Sequence, residues 1–140
     1  MMPERIILDV GCGTNRSYPF RPNVPINCYP IFMDIEVPVE ELRRWDWVVA
    51  DAQYLPFRDS CLDGIIASHV IEHLDNPLQF LTECRRALKK GGFAKIKTPN
   101  FMSRNAYLDP SHKYIFNFFR LWKLIRISGL IPHFPPPNFR

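Results

Sequence analysis

The sequence predicts an α/β fold built on a mostly parallel sheet, and three observations predict it. Short apolar runs alternate along the chain with segments of helical spacing, and such alternation gives parallel strands joined by right-handed crossovers. The first run, residues 5–10 (RIILDV), is nearly continuous in apolar character, as a strand buried on both faces requires. It runs directly into a turn carrying Gly11 and Gly13. In an open α/β sheet such a turn receives a nucleotide-like ligand, because glycine lets the ligand approach the backbone.

The later elements follow in order. Pro19, Pro22 and Pro25 make a poor first helix, and residues 31–35 then form the second strand. Residues 38–45 offer a short helix opened by Pro38 and continued by Glu40, Glu41 and Leu42. Residues 47–50 and 63–68 are the third and fourth strands. Residues 77–89 are the clearest helix: Leu78, Leu81, Cys84, Arg85 and Leu88 keep helical spacing, and Gly91 and Gly92 are expected to stop it. Residues 93–97 alternate toward a fifth strand that Thr98, Pro99 and Asn100 end. Residues 114–127 put Ile115, Phe118, Phe119, Trp122 and Ile125 on one face of an amphipathic helix, with Arg120, Lys123 and Arg126 elsewhere. The favoured role for that face is to cover the sheet; contact with a partner or a membrane surface is the other use.

With 140 residues the chain is expected to form one domain: a ligand-binding core over residues 4–100, then a C-terminal helix and proline-rich tail over residues 101–140. The net charge of +4 is too small for a surface that binds by phosphate contacts, so nucleic acid is not indicated. Cys12, Cys28, Cys61 and Cys84 form no CxxC pair, which argues against a zinc ribbon or disulfide scaffold and favours a reducing, cytoplasmic setting. No signal-peptide pattern is recognised, and Arg120, Lys123 and Arg126 make residues 115–131 a poor membrane span.

The glycine turn does not fit the dinucleotide fingerprint, whose third glycine is replaced here by Asn15. The ordered set DVGCGTN (9–15), FMDIE (32–36), ADAQYLPF (50–57), VIEHL (70–74), ALKKGG (87–92) and TPN (98–100) instead resembles the class I S-adenosylmethionine-dependent methyltransferases, especially their small-molecule branch. The resemblance spans about residues 4–118. It implies a Rossmann-like three-layer sandwich with strand order 3-2-1-4-5, here without the usual sixth and seventh strands. The fifth strand is then an edge, covered either by the C-terminal helix and tail or by a second subunit, in a homodimer or a larger complex.

The same resemblance implies that S-adenosylmethionine is the cofactor and assigns residues to it. Asp9, Gly11 and Gly13 would hold its methionine part, with backbone contacts from Cys12, Thr14 and Asn15. Asp34 would accept from the ribose hydroxyls, with Ile35 packing on the adenine. Asp51 would face the adenine amino group, and the Ala52 N–H would bond a ring nitrogen. Ser68 and His69 would lie near the sulfonium. For each aspartate the plainer alternative is a cap or turn former. His112, in LDPSHKYIF, is the candidate general base, with a loop-ordering histidine as its alternative. The reaction implied is in-line methyl transfer to a small-molecule or glycan-like acceptor, toward which the TPN and DPxH segments tilt. A non-catalytic S-adenosylmethionine-binding module within a larger complex is the alternative.

One local match competes with this reading. His69, Glu72 and His73 fit the HxxEH pattern of a zinc protease family. That pattern needs both histidines on one helix, whereas here it directly follows a strand. Zinc hydrolysis is therefore set aside and no metal site is expected, with Glu72 and His73 bordering the substrate mouth or opening a helix.

Overall fold

Five strands, β1 (Arg5–Val10), β2 (Cys28–Asp34), β3 (Trp47–Val49), β4 (Leu62–Ser68) and β5 (Leu88–Lys97), form one sheet in the order β3-β2-β1-β4-β5. Every neighbouring pair is parallel. The structure is a computed structural model that describes residues 5–13 and 24–134. The expected strand order is the observed one.

Strand register selects two faces, because successive side chains point to opposite sides. Leu8 stands level with Ile31 and Ile65, and Val10 with Met33 and Ala67; Ala94 and Ile96 extend both rows onto β5. This face meets helix α1 (Pro77–Ala87), whose Phe80, Leu81, Cys84 and Ala87 are fully buried against it. On the other face Ile7, Phe32 and Ile66 are buried, and Trp45 and Trp47 set their rings 5.8 Å from Phe32.

Several boundaries differ from the sequence expectation, each for a local reason. β2 starts at Cys28, so Pro30 lies inside it. Proline is tolerated there because β3 pairs only Phe32 to Asp34, leaving Pro30 on a stretch with no neighbour on that side. The expected helix over residues 38–45 is one 3-10 turn, Glu40–Leu42. α1 begins as expected, with Asn76 accepting from the Gln79 N–H at 3.1 Å and Pro77 in the first turn. It ends at Ala87 and not at residue 89, and Gly91 and Gly92 belong to β5. They form a bulge: pairing jumps from Leu62–Leu88 to Gly64–Phe93, Gly91 has φ +82°, and a Cβ on Gly92 would lie 2.9 Å from the Lys89 carbonyl oxygen.

Beyond β5 come the short helix α2 (Asn105–Leu108) and then α3 (Phe118–Ile127). α3 starts four residues later than expected, where Asn117 accepts from the Arg120 N–H at 2.8 Å. The later start accompanies a different packed face. Leu121, Leu124 and Ile125 lie against the core, while Phe118, Phe119 and Trp122 stay exposed. α3 packs on α1, and the turn after it is tight enough that a Cβ on Gly129 would lie 2.6 Å from Arg85 Nε. No described helix is long and apolar enough to cross a membrane.

Candidate functional site

In sheets of this kind ligands bind beyond the carboxyl ends of the strands, where the strand order reverses. That point lies between β1 and β4. A cavity of about 310 Å³ opens there, with Val10, Gly11, Asp34, Asp51, His69 and Val70 among its lining residues. Gly11 makes the floor possible: its N–H donates to the Met33 carbonyl at 2.8 Å, its φ is +64°, and a Cβ would lie 2.5 Å from Val70 Cγ2.

Two carboxylates face the cavity from fixed positions. Asp34, the last residue of β2, accepts from the Gly13 N–H at 3.0 Å through Oδ2 and from the Glu36 N–H at 3.1 Å through Oδ1. Each oxygen keeps a lone pair for a ligand hydroxyl. Asp51 is held by the Gln53 backbone and side-chain N–H groups at 2.9 and 3.1 Å. The loop behind it is tied to α1, since the Leu55 N–H donates to Glu83 Oε2 at 2.8 Å. Arg86 donates to the Leu55 and Phe57 carbonyls at 3.0 and 2.7 Å. Arg86 also bonds Glu83 and holds its carboxyl below the usual glutamate range.

Of the residues expected to bind cofactor, Gly11, Asp34, Ile35, Asp51, Ala52 and His69 line this cavity. Gly13 and Cys12 border it through Asp34 and Met33, the Cys12 thiol lying 3.5 Å from the Met33 carbonyl. Burial, with Asp9 and Asp34 nearby, pushes that thiol's pKa well up, so it stays protonated. Asp9 is buried and lies level with Phe32 and Ile66, on the face away from α1. Ser68 lines a different recess, with Ile66, Lys95 and Lys97. Asn15 and Thr14 lie outside the described residues. Met33, Ala50 and Leu74 also line the cavity and were not singled out; Val10, Met33 and Ala50 stand at strand ends, the signal that could have found them.

A second, more open recess of about 500 Å³ is lined by His69, His73, Pro99, Asn105, Leu108, Asp109 and His112. His69 and His73 line both spaces and form a common wall. The HVIEH segment is not a helix: His69 has a left-handed backbone, φ +56°, its N–H donating to the Lys97 carbonyl at 2.7 Å, and only Ile71–His73 form a 3-10 turn. The geometry of a zinc protease helix is therefore absent. His112 sits at this recess with Nδ1 3.0 Å from the Ala106 carbonyl, which makes Nδ1 a donor, and with Nε2 3.5 Å from Asp109 Oδ2.

The first cavity offers two carboxylates, apolar walls and no lysine or arginine among its described lining residues. Those groups suit hydroxyls, an amino group and positive charge, not a pyrophosphate. The comparisons agree. The methyltransferase domain family matches residues 8–96. A probable S-adenosylmethionine-dependent methyltransferase of Mycolicibacterium smegmatis is 30% identical over 133 residues, covering 89% of this chain and 51% of that protein. One from Mycobacterium tuberculosis is 27% identical over 135 residues, covering 91% and 49%. This chain thus spans about half the length of these curated relatives. A solved S-adenosylmethionine-dependent methyltransferase from Archaeoglobus fulgidus superposes with a TM-score of 0.70 at 27% identity, covering 91% of this chain and 61% of that one. Sheet order, glycine turn, strand-end carboxylates and family match converge, and the chain belongs to the class I S-adenosylmethionine-dependent methyltransferases.

Proposed function

We propose that this chain binds S-adenosylmethionine in the cavity between β1 and β4 and transfers its methyl group to a small-molecule acceptor held in the adjoining recess. The observation that carries the reading is the shared wall: one space with carboxylates for the cofactor, a second beside it, and His69 and His73 lining both. When bound, the cofactor supplies a methyl group on a cationic sulfur, which an acceptor lone pair takes in line while the carbon–sulfur electron pair stays on sulfur. The protein's part is positioning. Asp34 would take the ribose hydroxyls, Asp51 the adenine amino group, and Ile35 and Leu74 the faces of the ring. His112, with Asp109 Oδ2 3.5 Å from its Nε2, would stand on the acceptor side as the group that receives the acceptor's proton.

Calorimetry with S-adenosylmethionine and its demethylated product tests this. Asp34→Ala should weaken both by about 10–150-fold, the equivalent of about 1.5–3 kcal/mol for hydrogen bonds to a charged group. Undiminished binding in a folded Asp34→Ala chain would sink the assignment. The coverage of about half of each curated relative supports a second reading, a cofactor-binding part of a larger assembly. Binding without turnover over a broad acceptor panel would favour it.

A further inference from the structure

Glu72 sits beside His69 and His73 without lining either space, and methyl transfer leaves its environment unexplained. It is 1% exposed. Its Oε2 accepts from the Thr98 hydroxyl at 3.0 Å, but its Oε1 has no hydrogen-bond partner among the described residues. The nearest groups to Oε1 are His69 Nδ1 at 3.4 Å and His73 Nε2 at 3.9 Å, and a buried carboxylate oxygen held so loosely is costly.

His73 Nδ1 lies 3.0 Å from Ser111 Oγ and 3.2 Å from the Ser111 carbonyl. The Ser111 hydroxyl spends its proton on Asp109 Oδ1, so toward His73 it can only accept, and Nδ1 carries the ring proton. The lone pair of neutral His73 is then on Nε2, 3.9 Å from Glu72 Oε1. His112 is fixed in the same tautomer by the Ala106 carbonyl. The two rings meet edge to face, centroids 4.8 Å apart. One ligand atom from each of Glu72, His73 and His112 lies within 4.8 Å of the other two. Three ligand groups meet here, with Asp109 Oδ2 3.5 Å from His112 Nε2 and His69 Nδ1 3.4 Å from Glu72 Oε1 at their edge.

We propose that Glu72, His73 and His112 form a site for one divalent transition-metal ion of the zinc type, facing the acceptor recess. Two imidazoles and one carboxylate are a ligand set such ions take, with further positions left open. Metal-bound histidines usually donate their other ring N–H to an oxygen, as His73 does to Ser111 and His112 to the Ala106 carbonyl. Bonds of about 2.0–2.1 Å place tetrahedral ligands about 3.4 Å apart, so the loop that carries His112 closes by about an ångström on binding. This site owes nothing to the HxxEH pattern as a protease uses it: His69 is replaced as ligand by His112, from the loop after α2.

The open positions point to an acceptor class, a step that rests on the methyl-transfer reading. A hydroxyl or phenol oxygen bound to the ion loses its proton more readily. Its lone pair would then face the wall shared with the cofactor cavity. His112 would serve as ligand in this state, and the acceptor's proton would leave to solvent.

The test is Co²⁺ binding to the chelator-stripped full chain, read by visible absorption and calorimetry, with Zn²⁺ as competitor. One equivalent should bind with a visible ligand-field band. His112→Ala and Glu72→Gln should each weaken binding at least tenfold, while His133→Ala, remote from the cluster, leaves it unchanged. Glu72→Gln keeps the size of the buried side chain, and His112→Ala serves if it does not fold. No stoichiometric binding by folded protein, or equal binding in His112→Ala, overturns the site. S-adenosylmethionine affinity is measured on the same samples. Metal binding without cofactor binding would leave this site standing and remove the methyl-transfer reading; cofactor binding without metal binding would do the opposite.

Discussion

Gly11→Ala probes the crevice on which the cofactor assignment rests. Gly11 has φ +64°, and an added Cβ would lie 2.5 Å from Val70 Cγ2. Holding an L-residue in the left-handed region costs about 1–2 kcal/mol. Carbon atoms sit comfortably at about 3.5–4.0 Å, so Val70 must retreat by about an ångström, and overpacking of that kind costs about 1–3 kcal/mol. Alanine's smaller unfolded-state entropy returns about 0.4–1 kcal/mol. The net loss is about 1–5 kcal/mol, or a fall in melting temperature of about 4–20 °C for a domain of this size. Gly13→Ala is the control, since Gly13 has φ +85° and a Cβ there would meet nothing within 4 Å; it should lose only about 0–1.5 kcal/mol. Denaturant unfolding followed by circular dichroism gives both values. If the two variants agree within about 0.5 kcal/mol, the close approach of Val70 is not what requires glycine at position 11. Adding Val70→Ala to Gly11→Ala should then recover the steric part, a coupling of about 1 kcal/mol or more.

Two further expectations concern α1. Phe80, fully buried between α1 and the sheet, should cost about 3–5 kcal/mol as Phe80→Ala in the same assay. Glu83→Gln should cost about 1–3 kcal/mol at neutral pH through its bonds to Arg86 and the Leu55 N–H. Because the folded-state carboxyl titrates below its ordinary value, that stabilisation is present above the unfolded pKa and lost as pH falls through the folded one. The difference between wild type and variant should therefore shrink below about pH 4; a gap that stays constant to pH 3 would contradict the assignment.

What the sequence made legible followed periodicity and strand-end chemistry. The strand order followed only from the family resemblance, whereas the apolar run of β1 and the residues Gly11, Asp34 and Asp51 at the carboxyl ends are encoded locally. The glycine pair at 91 and 92 was not, because two adjacent glycines after a helix can serve as a stop or as a strand bulge. One of the deciding contacts, the Asp63 carbonyl against Gly92, comes from β4, far away in sequence. The packed face of α3 was shifted for a similar reason. Phe118, Phe119 and Trp122 are the larger apolar side chains, yet the Asn117 cap sets the helix start and Leu121, Leu124 and Ile125 pack against the core. His112 and Glu72 are 40 residues apart, and only folding brings their ligand atoms together.

The wall that His69 and His73 share between the two spaces has a thermodynamic consequence. With both spaces filled as proposed, a ring that turned to accommodate one occupant would change the shape offered to the other, and the two occupancies would be linked. Linkage is reciprocal: whatever factor the cofactor imposes on acceptor affinity, the acceptor imposes on cofactor affinity. Affinities measured one ligand at a time then describe neither ligand in the ternary complex. The strained backbone of His69, φ +56°, places the first of those rings at the boundary, where a small rotation is felt by both occupants.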